Sequence, residues 1–211
     1  MAFDIKTRIY YDAEFTGLTK DTSLISVGFT TDDQNDYFYA EFNDYDDSKV
    51  DQWLQKHVID NMIYNGHENA RQVFNDSDNI ITVMKGNKNE VQCALNKWLF
   101  DIHAKNDKQI QFYTDCYAYD WVLLNDLITN GKSALYIPKF IYYIPFDLST
   151  LMQSKGIDPD INREEFAGAS EIQNLLDSEP FKTMATNKNV KHNSLWDAFI
   201  AKKCFQRIYS M

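Results

Sequence analysis

Glycine and proline are scarce in this 211-residue chain, at 7 and 4 residues. That argues against collagen-like repeats, Gly-rich low complexity and long disordered linkers. Cysteine is scarcer still: Cys93, Cys116 and Cys204 stand far apart, with no Cys-x-x-Cys pair. A disulfide scaffold, a zinc knuckle and a dithiol redox motif are all disfavoured, and the sparse odd count fits a reducing cytoplasm. No apolar run approaches the roughly 18 residues of a membrane span. The opening MAFDIKTRIYYDAEF has acids where a signal peptide needs an apolar stretch, so none is expected. Positive charge is also short: 21 Lys and Arg against 31 Asp and Glu give a net charge of −10. Such a surface repels polyanions, which disfavours a basic nucleic-acid coat protein or a membrane-surface binder. It leaves open an enzyme that recruits cations to its carboxylates.

What is present is globular: 44% hydrophobic and 15% aromatic residues, in a length that fits one domain over 1–211. RIYYDAEF (8–15) and TSLISVGFT (22–30) read as strands, and TDDQND (31–36) as a turn into a third, YFYAEF (37–42). Short connections between them suggest an antiparallel meander. The pattern then turns helical. Val50, Trp53, Leu54, His57, Val58 and Met62 recur at helical spacing, and a second amphipathic helix covers about 88–103. A strand at 110–114 and a helix at about 118–128 follow. The stretch 134–146 reads as strand plus loops, 148–155 and 170–177 as short helices, and about 195–209 as a last amphipathic helix. The expected fold is α/β, a mixed sheet flanked by helices.

Three places could carry chemistry. Asp12 and Glu14 alternate along the first strand and share a face, their Cβ atoms about 6–7 Å apart. Two ionised carboxylates within a run of Ile9, Tyr10, Tyr11 and Phe15 repel each other and lose solvation, a cost a hard cation offsets. Taken alone, the pair is equally a solvent-facing strand end. Asp120 opens the mid-chain helix, where an acid also complements the helix dipole; Asp115 is its weaker rival. His192 and Asp197 bracket the start of the last helix. Asp197 there is equally the end of a Ser194-x-x-Asp197 capping box, and His192 an ordinary surface histidine. There is no GxGxxG, P-loop lysine, HExxH or GxSxG to compete with these.

In combination and in this order, YYDAEFTGL, CYAYDWVLL and KHNSLWDAFIAKKCF resemble the DEDDh 3′–5′ exonucleases, from about Ile9 to Tyr209. YYDAEF followed by SLISVGF, with KHVID at 56–60, looks most like the subgroup holding a mycobacterial polyadenylate-specific exoribonuclease and phage relatives. The resemblance implies a ribonuclease-H-like fold with a central mixed five-stranded sheet, three antiparallel strands and then parallel ones. It implies two divalent cations, Mg²⁺ or Mn²⁺, held by Asp12, Glu14, Asp120 and Asp197, with His192 as general base. It implies single-stranded nucleic-acid 3′ ends as substrate, RNA before DNA, and nucleoside 5′-monophosphates as product. A homodimer in the cytoplasm of a bacterium or a phage-infected host is implied as well. Tyr117 and Tyr119 depart from the small, polar approach to Asp120 that is common in the family.

For the substrate, the turn Phe15-Thr16-Gly17-Leu18 is what the family uses to hold the terminal nucleotide, with Leu18 against a base. His57 is a weaker candidate for base contact. Acids crowd residues 31–51 (Asp32, Asp33, Asp36, Glu41, Asp44, Asp46, Asp47 and Asp51 against Lys49), whereas Lys182, Lys188, Lys191, Lys202, Lys203 and Arg207 surround Asp197. Lys188 and Lys191, in the polar loop before His192, are the better candidates for phosphate contact. Lys202, Lys203 and Arg207 fit a solvated helix face equally well. Two other functions compete with the enzyme: an inactive nuclease-like domain that binds nucleic acid or protein, and an acidic metal-binding protein without hydrolytic activity.

Overall fold

The computed structural model describes residues 6–32, 36–64, 70–75, 79–185 and 190–211. Strands β1 (Lys6–Phe15), β2 (Leu24–Thr31) and β3 (Tyr37–Phe42) form the expected antiparallel meander. β6 (Gln109–Thr114) joins the other side of β1 in parallel, and the two-residue β7 (Phe146–Asp147) adds to β6. This is the five-strand order the resemblance implies, but the sheet is larger. β4 (Ala70–Asn75) and β5 (Ile80–Gly86) form an antiparallel pair, β5 running parallel to β3, so the full order is β4-β5-β3-β2-β1-β6-β7. The count of five therefore falls short by this pair. Its signal was there, in the β-branched run Ile80, Ile81, Thr82, Val83.

The main helices lie where the periodicity puts them, except that the Val50–Met62 spacing yields only a six-residue helix followed by a 3₁₀ turn at Ile59–Asn61. α1 is Gln52–His57, α2 Lys88–Asn106, α3 Tyr117–Thr129, α4 Leu148–Ser154, α6 Ala169–Leu176 and α8 Ser194–Ser210. Two short ones, α5 (Arg163–Ala167) and α7 (Phe181–Ala185), carry no periodicity long enough to read. The segment 134–146 is mostly irregular: a 3₁₀ turn at Ala134–Tyr136, a single bridge from Ile141 to Ile110, and then β7. α2 starts at a reciprocal capping box: Asn87 Oδ1 accepts from Glu90 N (3.1 Å) and Asn87 N donates to Glu90 Oε2 (2.9 Å).

Strand alternation sorts β1 between two cores. Ile9, Tyr11 and Ala13 pack with Phe29, Phe38, Trp98, Leu99 and Phe112 on the α2–α3 side. Tyr10 faces the other way and packs with Tyr39, Tyr113, Leu195, Phe199 and Phe205 under α8. Asp12 and Glu14 share the Tyr10 face, so the helix above them is α8. α8 comes very close to the sheet where it starts. A Cβ built on Gly28 of β2 would lie 2.3 Å from Leu195 N and 2.4 Å from Ser194 C. Gly28 pairs with Asp12 across the strands, and Ser26, the partner of Glu14, bonds Ser194 Oγ at 3.0 Å. The first turn of α8 is thereby seated over the two acids.

Candidate active site

Three elements bring the acids together. β1 supplies Asp12 and Glu14, the first turn of α3 supplies Asp120, and the first turn of α8 supplies Asp197. Potential ligand atoms of Glu14, His192 and Asp197 lie within 4.8 Å of one another. Asp12 is flanked electrostatically by Asp120, Asp197, Glu14 and Asp115. Burial and these like charges push the carboxyls of Asp12 and Glu14 well above the usual range. Asp120 is raised chiefly by burial; Asp197 is raised by burial, Glu164 and Asp115, with a His192 backbone N–H partly offsetting the rise. Such a cluster is unstable as four bare anions and suits hard cations.

The structural alternatives for Asp120 and Asp197 are weakened. Asp120 is buried; its Oδ2 accepts from Thr114 Oγ1 at 2.5 Å, while its Oδ1 is buried with no hydrogen-bond partner. A helix-dipole acid would face solvent instead, and an orphaned carboxylate oxygen aimed among acids fits a metal ligand. Asp115 is already engaged: Arg163 grips it through Nε (2.7 Å) and Nη2 (2.8 Å), and Ser149 Oγ adds a bond at 3.1 Å. The cap of α8 is Asn193, whose Oδ1 accepts from Leu195 N (3.1 Å) and Trp196 N (3.4 Å), and Ser194 turns to Ser26. The Ser194–Asp197 capping box therefore does not form.

His192 adopts the left-handed conformation, φ 56°, and is exposed at the rim of the acids. Its ring meets the Trp53 ring edge-on at 5.2 Å, and the His57 ring lies 6.2 Å away. Partial burial, His57 and Lys191 lower the His192 pKa, with Glu164 opposing. The imidazole is thus neutral at neutral pH, the form that can take up a proton. Trp53, part of the apolar spacing in sequence, is in fact 51% exposed and packs on His57 at 5.1 Å.

The other predicted contacts divide. The turn Phe15–Leu18 closes β1 onto β2 beside the site: Thr16 N donates to Ser23 O (3.0 Å), Gly17 follows, and Leu18 is exposed. Tyr119 braces this turn, stacking on Phe15 (5.6 Å, 18°) and donating to Leu18 O (2.9 Å). His57 is next to His192. Lys191 pairs with Glu164 at 2.9 Å, and Trp196 Nε1 donates to the same carboxylate at 3.0 Å. Lys188 lies outside the described residues. The basic residues of α8 are engaged within the fold. Lys202 is fully buried and donates to Thr31 O (2.5 Å) and Asp32 O (2.6 Å); Lys203 pairs with Glu171 (2.8 Å); Arg207 bonds Phe166 O. Sequence reasoning missed Glu164 and Arg163, because α5 is too short to announce itself.

The acid cluster makes metal-free stability fall as pH rises. A carboxyl raised on folding holds its proton in the native state after the unfolded chain has lost it, so stability drops from near pH 4 through the raised native values. Glu41, buried and pushed up to about 7, adds a loss of the same sign. Mn²⁺ at a hundredfold excess over Kd stabilises by about 2.7 kcal/mol, or ~5–10 °C at 2–4 °C per kcal/mol. Thermal unfolding with and without Mn²⁺ should show the gain growing from pH 5 to pH 8. A gain independent of pH would mean the ion binds elsewhere.

No curated protein matches the chain. Among the described residues, no helix is long and apolar enough to cross a membrane. A family model described as the 3′–5′ exoribonuclease Rv2179c-like domain matches residues 7–209. Its span covers β1 through α8, and the helix-flanked mixed sheet fits a ribonuclease-H-like nuclease. With the acids of three elements gathered under α8, the chain belongs to the Rv2179c-like 3′–5′ exoribonuclease domain family.

Proposed function

We propose that this chain, as a single domain over 1–211, is a metal-dependent exoribonuclease that shortens single-stranded RNA from its 3′ end and releases nucleoside 5′-monophosphates. The observation that carries the reading is the convergence within 4.8 Å of Glu14, from the first strand, with His192 and Asp197, which bracket the start of the last helix at the other end of the chain. Asp12, Glu14, Asp120 and Asp197 would hold two Mg²⁺ or Mn²⁺ ions. When bound, such ions acidify the attacking water and neutralise charge on the phosphate and on the departing oxygen.

The chain's own groups do the rest. His192 takes a proton from the water as its oxygen attacks phosphorus. The bond from phosphorus to the 3′ oxygen of the preceding nucleotide breaks, and that oxygen takes a proton from solvent water to become a hydroxyl. The turn Phe15–Leu18 and His57 border the terminal nucleotide, and Lys191 lies within reach of phosphate beside His192. The complete set of four acids and a histidine argues against an inactive nuclease-like domain. A homodimer stays part of this reading, and Leu135, Tyr136 and Tyr143, 92%, 68% and 66% exposed, offer apolar surface of the kind a second copy covers.

The test is release of mononucleotides from a 3′-hydroxyl RNA oligonucleotide and its DNA counterpart, with Mg²⁺, Mn²⁺ or chelator. Ion-dependent 5′-monophosphate release, faster on RNA, is expected; none from any oligonucleotide with either ion would overturn the enzyme. His192→Ala should slow turnover by roughly 10²–10⁴-fold while keeping the Mn²⁺-induced stabilisation. Full activity in that variant would remove His192 from the base role.

A further inference from the structure

Behind His192 lies a buried polar assembly that metal binding and substrate contact leave unused. Asn61, in a 3₁₀ turn at Ile59–Asn61, is buried, and its side-chain nitrogen donates twice. One bond goes to His57 O at 2.6 Å, at the end of α1, and the other to Lys191 O at 2.9 Å, one residue before His192. Asn193, on the far side of His192, caps α8 with its oxygen and points its nitrogen at Tyr39 OH (3.2 Å) and Asn61 O (3.4 Å). Tyr39 OH donates to Glu41 Oε1 at 2.9 Å, which also accepts from Tyr64 N at 2.9 Å. Lys85, 3.8 Å from Glu41 Oε2, donates to Tyr64 O at 3.1 Å.

Burying this many polar groups is costly unless they are hydrogen-bonded, and a network satisfied in this way rigidifies the backbone it bonds. What they hold is the residue on each side of His192, a non-glycine residue in the left-handed region that needs support from its surroundings. Asn61 also joins the two walls of the imidazole site, since Trp53 and His57 pack on the His192 ring from α1. A primary amide suits this place, because its NH₂ offers two donors to two carbonyls, whereas an aspartate offers none.

We propose that Asn61 is a positioning residue for His192, clamping the Lys191–His192 turn to the end of α1, with Asn193, Tyr39 and Glu41 anchoring the other side of that turn in the sheet. The proposal rests on His192 being the general base. Small displacements of a proton acceptor are expensive in rate while leaving ground-state binding intact. Asn61 touches neither the acids nor the Phe15–Leu18 turn in any described bond, and it meets the substrate-side residues His57 and Lys191 at their backbone carbonyls rather than their side chains, so its main effect should fall on kcat.

A double-mutant cycle on the full chain tests this. Asn61→Asp should lower kcat on RNA by about 10–100-fold, with KM and Mn²⁺ affinity unchanged within about twofold. In a His192→Ala background the same substitution should change kcat by no more than about twofold, because a group acting only through the imidazole has nothing left to position. An equal loss in both backgrounds, or no loss in the native one, overturns the proposal while the base assignment stands. Should His192→Ala keep full activity, the base assignment fails and the proposal with it. If Asn61→Asp does not fold, as read by loss of cooperative unfolding, Tyr39→Phe replaces it in the cycle under the same criteria. That variant keeps the ring and removes only the hydroxyl between Asn193 and Glu41.

Discussion

Asp12→Asn should all but abolish turnover and, in the same preparation without metal, raise the melting temperature. Both effects come from one charge. Asp12 is raised by burial and then by Asp120, Asp197, Glu14 and Asp115, so its ionised form is held against four neighbours. Asparagine keeps the shape and removes that repulsion, which stabilises the empty site. The gain should be largest above neutrality and vanish near pH 4, where the native aspartate is already neutral. Activity goes the opposite way, since the proposed metal ligand central to the cluster is lost. Cation stabilisation of a phosphoryl transition state amounts to several kcal/mol, so a fall of at least ~10³-fold in kcat/KM is expected at 1.36 kcal/mol per decade. Calorimetry across pH and single-turnover cleavage check the two halves. A variant that stays within tenfold of native activity, or that loses stability at every pH, would mean that Asp12 is a structural acid.

The residues behind that prediction are readable in sequence because each sits at a position where local structure fixes direction. Period-two alternation puts Asp12 and Glu14 on one face whatever the sheet around them. Helix starts put Asp120 and Asp197 in first turns, near the ends of strands and loops where sites form. Local rules alone could not separate Asp120 from Asp115, or a metal ligand from a cap. The separation came from tertiary partners: Arg163, 48 residues away, engages Asp115, and Asn193 takes the capping role.

Charge was the least legible feature. Asp36 and Glu41, in the acidic stretch, are both buried, paired with Lys105 at 2.8 Å and Lys85 at 3.8 Å. Lys202, on a helix with other basic residues, is buried because two carbonyls at the end of β2, about 170 positions away in sequence, solvate its ammonium. A net charge of −10 summed over the chain therefore says little about the surface that meets RNA. The field at the site is set by four acids in one place and by nearby pairs such as Lys191–Glu164.

Gly28→Ala should damage the enzyme almost as severely without touching any charged group. The added methyl would fall 2.3 Å from Leu195 N and 2.4 Å from both Leu195 Cα and Ser194 C, all of them backbone. No rotamer change relieves a clash with main chain, so the start of α8 must move off the sheet. Asp12 and Glu14 stay with β1 while Asp197 and the adjoining His192 turn go with α8. The overpacking itself costs about 1–3 kcal/mol, roughly 2–12 °C in melting temperature for a chain of this size. Misalignment of roughly 1 Å between base, ligands and scissile phosphate costs on the order of 10²-fold in kcat, and the Mn²⁺-induced stabilisation should shrink with it. Gly86→Ala is the matched control. Its new Cβ meets Glu90 Oε2 at 2.7 Å, the mobile end of a side chain in the α2 cap, remote from the acids. That variant should lose some stability with the capping box and keep its kcat. Native kcat in Gly28→Ala, or equal loss in both variants, would show that the seating of α8 on β2 does not set the geometry of the site.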